Sequence, residues 1–256
     1  MKELFLDMSL APTATIILNR PERRNAVTDE MWRELSRLVA ALGKDPDVRT
    51  VIIKGAGDHF CSGADLAHGG KGGTGPDAQF RHDVEACLED LATLPKPTIA
   101  AIRGFCLGGG FTLALACDFR LAEPSSRFGV PAARLGVVYC VEDSRSLMSL
   151  VGLARAKEIL FTGRQFDAAE MARAGFVDLV EGGVDAAAAA LARTLADNAP
   201  LSIAGSKLIL NALARGEAVV RAKELNAAVG NAMESEDYRE GVRAFREKRR
   251  PRFVGR

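Results

Sequence analysis

Two glycine-bearing turns constrain this chain more than any other feature. They are Phe60-Cys61-Ser62-Gly63-Ala64-Asp65-Leu66 and Gly104-Phe105-Cys106-Leu107-Gly108-Gly109-Gly110. The second follows an apolar run, Thr98 to Ile102, and opens a segment from Phe111 to Cys117 that is apolar on nearly every side. This reads as a strand feeding a buried helix. Its glycines then sit at a helix N-terminus, where free N–H groups and about half an elementary charge of macrodipole favour an anionic oxygen. Paired with the first turn, they can aim two backbone N–H groups at one oxygen, which makes an oxyanion hole. A nucleotide phosphate loop is the rival, and the spacing excludes it. Leu113 stands where a dinucleotide fingerprint needs its third glycine, and Gly110-Phe111 stands where a P-loop needs Lys and Ser or Thr.

The rest of the chain reads as repeated strand–turn–helix units. Leu4 to Asp7 and Thr13 to Leu18 are predicted strands joined by a turn at Ala11-Pro12. A helix begins after Thr28 as N-cap and places Met31, Trp32, Leu35, Leu38, Val39 and Leu42 on one face. Strand Val51-Ile52-Ile53 leads to the first glycine turn. Gly69 to Pro76, with five glycines in eight positions, reads as a mobile loop. A helix from Phe80 to Leu94 stops at Pro95-Lys96-Pro97, and the pattern recurs, suggesting a ββα spiral. Beyond Gly182-Gly183 the sequence is helical in character, with the alanine run 186 to 190. The expected division is therefore a spiral core over 1–182 and a helical region over 183–256.

Composition narrows the partners. With 34 basic and 33 acidic side chains, the chain offers no bulk electrostatic argument for nucleic acid or an anionic membrane. The five cysteines are odd in number and lack a Cys-x-x-Cys spacing, as expected of reduced thiols in a cytoplasmic protein. No apolar run is long enough for a membrane span. His59 and His68 have no partner at a metal-ligand spacing, so no metal site is expected.

Five segments in order, nearly end to end, resemble the crotonase superfamily, the enoyl-CoA hydratase/isomerase family. They are Leu18-Asn19-Arg20-Pro21 with Asn25-Ala26, Phe60 to Leu66, Gly104 to Gly110 with Cys117-Asp118, Phe128-Gly129-Val130-Pro131, and Phe245-Arg246-Glu247-Lys248-Arg249. The resemblance implies an α/β fold, a ββα spiral core whose C-terminal helices cover the site and build a homotrimer or homohexamer. It implies an acyl-CoA thioester as substrate, coenzyme A being part of the substrate with no separate cofactor. The oxyanion donors it implies are the N–H groups of Ala64 and Gly109. For the CoA moiety it implies Arg24, Ala26, Ala64, Asp65 and Leu66, together with Phe245 near the adenine and Lys248 near the 3′-phosphate of a neighbouring subunit. The tail from Arg246 to Arg256, with six basic residues and one acid, is thereby read as a CoA element rather than a nucleic-acid one.

The chemistry departs from that resemblance. Hydratases of the family carry a glutamate two residues after the triple glycine and another directly after the proline of Phe-Gly-x-Pro, and these positions here are Thr112 and Ala132. A positioned acid or base contributes about 10²–10⁴ in rate, so ordinary hydration is expected to be weak. Substitute groups are expected on Gly136 to Asp143, with Tyr139 and Glu142 as the catalytic candidates. Tyr139 matches a tyrosine in a motif resembling that of methylmalonyl-CoA decarboxylase, and Cys140 falls where some isomerases and dehalogenases carry an aspartate. Two other readings stay open: Glu142 and Asp143 complement the macrodipole of a helix running to Val151, and Tyr139 is a hydrogen-bonded, half-buried ring. His82, Glu85 and Glu89 share a helical face that either reaches the pocket or is solvated.

Overall fold

The computed structural model describes residues 2–65 and 78–256; the expected loop at Gly69 to Pro76, His68 and Leu66 lie outside them. A hairpin of β1 (Leu4–Leu10) and β2 (Thr13–Leu18) opens the chain, β1 running three residues past the expected end. Helix α1 (Asp29–Lys44) follows, capped as expected: Thr28 Oγ1 accepts from Met31 N at 3.2 Å. Strand β3 (Thr50–Gly55) precedes the first glycine turn and α2 (Ala78–Thr93). The next turn of the spiral is β4 (Thr98–Ile102), β5 (Phe105–Leu107) and α3 (Gly109–Leu115), the short β5 lying inside the expected turn. Then come β6 (Phe119–Ala122), β7 (Arg127–Gly129), α4 (Ala132–Leu135) and α5 (Val141–Thr162), with a break in helical backbone at Gly152. β8 (Phe166–Asp167), α6 (Ala168–Arg173) and β9 (Leu179–Val180) close the spiral, and α7 (Val184–Ala196), α8 (Pro200–Arg215), α9 (Ala222–Glu234) and α10 (Glu236–Arg246) complete the chain.

The strands form two sheets. The larger runs β1-β2-β3-β4-β6-β9, antiparallel only at β1-β2, and the smaller runs β5-β7-β8. The coils β4-β5-α3 and β6-β7-α4 each contribute one strand to the large sheet and one to the small sheet before their helix. Cys61 joins the small-sheet layer through a bridge to Cys106.

The runs Val51-Ile52-Ile53 of β3 and Ile99 to Ile102 of β4 are continuously apolar because both faces of the large sheet are covered there. Val51, Ile53, Ala100 and Ile102 enter the main core, whereas Ile52, Ile99, Ala101 and Leu121 meet Val184, Ala188 and Ala192 of α7 on the other face. Burying each of these valine, leucine and isoleucine side chains contributes about 1.5–3 kcal/mol. The helical region expected from 183 onward thus begins by seating its first helix on the sheet. In the main core, Phe111 of α3 stacks on Phe176 at 4.3 Å between ring centroids, and Phe128 meets Phe176 edge-on at 5.9 Å. That aromatic group fixes α3, and with it the second glycine turn.

Candidate active site

The first turn is held from below by Asn25. Its fully buried side chain donates to Ala56 O at 2.9 Å and His59 O at 2.6 Å, and its Oδ1 accepts from Arg20 N at 2.9 Å. Val27 then lies beside Ala64 as a short parallel bridge: Val27 N donates to Gly63 O and Asp65 N donates to Val27 O, each at 2.9 Å. In extended backbone successive peptide groups alternate in direction, so the N–H of Ala64 points away from Val27, toward α3. Among the described residues it donates to no acceptor.

The second turn supplies the other donor. Gly108 has φ 50° and ψ −117°, a conformation that a side chain would obstruct, and its own N–H is held by Gly129 O at 2.9 Å. The turn thereby swings the Gly108–Gly109 peptide so that Gly109 begins α3 with a free N–H, as the first residue of any helix does. A Cβ on Gly109 would lie 3.3 Å from Ala64 N and 3.4 Å from Trp32 Cζ2. A side chain here would crowd the space between the two backbones. The two expected donors, Ala64 and Gly109, are therefore neighbours in space.

Neither hydratase position carries a replacement acid. Thr112 is buried and its hydroxyl donates to Gly109 O at 3.0 Å, a bond within its own helix. Ala132 is buried at the start of α4.

The segment before α5 comes to the same place. Tyr139 is half-buried against the main core, and its hydroxyl donates to Gly108 O at 3.2 Å. Burial, reinforced by Asp143, pushes its phenol further above the usual range, so it is a neutral donor at any ordinary pH. Cys140 caps α5, its Sγ accepting from Asp143 N at 3.5 Å. Glu142 points to solvent, whereas Asp143 is half-buried. Burial raises the Asp143 carboxyl to about 6; the Cys140 thiol opposes the shift, and the charges of Glu85 and Glu142 add to it. Asp143 forms no ion pair among the described residues. A carboxyl titrating at about 6 in the first turn of a helix, without an ion pair among the described residues, is a candidate for moving a proton. The sequence reading favours Glu142 over Asp143 as the catalytic carboxylate of this turn, whereas the rotation of α5 leaves Glu142 exposed and Asp143 half-buried.

Burial holds all five thiols, Cys87 included, in the protonated form. Burial pushes the Cys61 and Cys117 thiols up to about 12 and that of Cys106 well above its ordinary value, and half-buried Cys140 is raised to about 11. Glu89 pairs with Arg215 at 2.5 Å, and exposed His82 lies 3.7 Å from Asp83. His59 stacks on Phe105 with ring centroids 4.6 Å apart. Among the described residues no group of three His, Cys, Asp or Glu is placed to hold a metal, and no helix is long and apolar enough to cross a membrane.

The residues expected at the CoA moiety divide. Arg24 is exposed on a left-handed turn, its guanidinium 5.3 Å from the Phe105 ring centroid. Arg20 is buried and committed to structure, pairing with Glu3 at 3.0 Å and Asp65 at 2.9 Å and donating to Ala26 O at 2.8 Å. Asp65 and Ala26 thus order the first turn through Arg20. Phe245 is 86% exposed on α10, and Lys248 is exposed just beyond that helix. Among the described residues neither shares a backbone hydrogen bond with the glycine turns of its own chain.

A model of the enoyl-CoA hydratase/isomerase family matches residues 11–256. The chain is 34% identical to an enoyl-CoA isomerase/hydratase of Mycosarcoma maydis, over 94% of this chain and 92% of the fungal protein. It is 35% identical to a mitochondrial methylglutaconyl-CoA hydratase of Rattus norvegicus, over 93% of this chain and 78% of the rat protein. Among solved structures, an enoyl-CoA hydratase from Bacillus anthracis superposes with a TM-score of 0.90 at 31% identity, covering 100% of both chains.

Proposed function

Because the chain belongs to the enoyl-CoA hydratase/isomerase family and has the crotonase fold, we propose that it holds an acyl-CoA thioester carbonyl between the N–H groups of Ala64 and Gly109 and moves a proton through the first turn of α5. The observation that carries this reading is the pair of undonated amides facing each other across the Gly109 gap. Electrons displaced onto the thioester oxygen, by loss of an α-proton or of an α-carboxylate, form an enolate. Two fixed N–H dipoles stabilise that charge more than they stabilise the neutral carbonyl. Asp143, raised toward neutrality, accepts or returns the proton, while Tyr139 stays protonated; a decarboxylation or double-bond shift fits this set better than hydration. Glu142 remains on the rim of the same turn.

Ordinary hydration needs a water activated by two carboxylates, and Thr112 and Ala132 supply none. The same observation favours a second reading, a non-catalytic acyl-CoA binding protein. Lys248 and Phe245 serve a neighbouring subunit's CoA in a homotrimer or a pair of trimers. Supporting this, Val138, Val219, Val220 and Phe245 are each more than four-fifths exposed in the single chain. Five free cysteines support a cytoplasmic location.

The deciding experiment is calorimetric titration with acyl-CoAs of several chain lengths, followed by turnover assays for hydration, double-bond shift and decarboxylation. Binding with turnover supports the enzyme, binding without any turnover supports the second reading, and no binding overturns both.

A further inference from the structure

The Tyr139 hydroxyl and the N–H of Gly109 act on opposite ends of one peptide group. In the trans peptide between Gly108 and Gly109, the carbonyl oxygen and the N–H point in opposite directions. The oxygen accepts from Tyr139 Oη at 3.2 Å and from Thr112 N at 3.1 Å. The N–H at the other end is the undonated one facing Ala64. Gly108, at φ 50° and ψ −117°, has no side chain to restrict rotation of this peptide plane, so the plane's direction depends on what holds its oxygen.

We propose that Tyr139 is a positioning residue that aims and polarises the Gly108–Gly109 peptide, making the Gly109 N–H a stronger donor to the thioester oxygen, and that it exchanges no proton with substrate. Two donors on the carbonyl oxygen draw electron density from nitrogen through the amide resonance, and hydrogen bonds in such a chain strengthen one another. Thr112 N supplies the helical bond any helix would make. Tyr139 supplies the additional one, from a residue 31 positions away in sequence. Burial of the phenol keeps it protonated and therefore always a donor. The proposal rests on the oxyanion reading above and says which residue tunes it.

The test reads the bound carbonyl directly. Butyryl-CoA carrying ¹³C at the thioester carbonyl is bound to the full-length protein, and its C=O stretch is measured by difference infrared spectroscopy. Wild type should lower the band relative to free ligand. Tyr139→Phe, which keeps the ring and its packing, should move the band back toward the free position, slow α-proton exchange by about 10-fold, and leave butyryl-CoA affinity within a few-fold. The chain has two tyrosines, the other being Tyr238, so a Tyr238→Phe protein grown on 3-fluorotyrosine carries the more acidic phenol at position 139 alone. Its band should shift further down than wild type. Identical bands in the folded wild-type, Tyr139→Phe and fluorinated proteins overturn the proposal while leaving the oxyanion hole standing. Absence of any downshift in wild type, by contrast, overturns the oxyanion reading itself.

Discussion

A methyl group on Gly109 would lie 3.3 Å from the amide nitrogen of Ala64, in the space where the two amides converge. Gly109→Ala therefore fills the gap without adding charge or removing a hydrogen bond, and alanine is a better helix former than glycine. The variant is expected to lose about 10²-fold or more in any thioester turnover, with an unfolding midpoint within about 4 °C of wild type. Parallel assays of rate and thermal melting check this. Full activity in a folded Gly109→Ala protein would show that the oxygen binds elsewhere.

Asp143 gives a pH signature. Its folded carboxyl titrates at about 6, against 3.8 for an unperturbed one. As a base it must be ionised, so rate should rise through about pH 6 and level off above it; Asp143→Asn should abolish the rise and lower the plateau by about 10²–10⁴. The stability effect has the opposite sense. The folded state holds this proton more tightly than the unfolded state, so the contribution is fully present below pH 3.8 and is lost as pH rises through about 6. Asp143→Asn should consequently melt higher than wild type at pH 8 and no higher at pH 3.5, a comparison that scanning calorimetry makes directly.

Hydration is the reaction expected to be poor. Crotonyl-CoA hydration, followed by loss of enoyl absorbance, should fall orders of magnitude below a typical enzyme rate of about 10 s⁻¹. A rate in the ordinary range would mean that Asp143 or another group replaces both missing glutamates.

Arg120 secures the helix that begins with Gly109. It is 3% exposed and donates to the carbonyls of Ala114, Cys117, Asp118 and Phe176, so one guanidinium satisfies the C-terminal end of α3. Arg120→Met should cost about 3 kcal/mol by urea unfolding, since buried carbonyls would lose the donor that the guanidinium supplies. A loss below about 1 kcal/mol would show that water or a shifted chain replaces them.

Much of this architecture was readable in the sequence because its causes are local. Thr28 announced α1 three residues before the Met31 N–H it caps, and the face carrying Trp32, Leu35 and Val39 followed from helical spacing. The glycines of both turns were legible for the same reason: they mark backbone conformations and approaches that other residues resist. What stayed hidden was nonlocal. The bond from Tyr139 to Gly108 depends on how α5 enters the core. The choice between Glu142 and Asp143 depends on the rotation of that helix about its Cys140 cap, and the engagement of Arg20 by Glu3 and Asp65 joins segments far apart in sequence.

The central claim is that Ala64 and Gly109 stabilise a thioester enolate even though the hydratase glutamates are absent. Deuterium exchange at the α-carbon of butyryl-CoA in D₂O, followed by proton NMR, tests it most directly, because exchange requires the enolate and nothing further. Wild type should exchange the α-protons well above the buffer rate, and Gly109→Ala should return exchange to near that baseline. Butyryl-CoA bound by the wild-type protein with no exchange above buffer would contradict the claim.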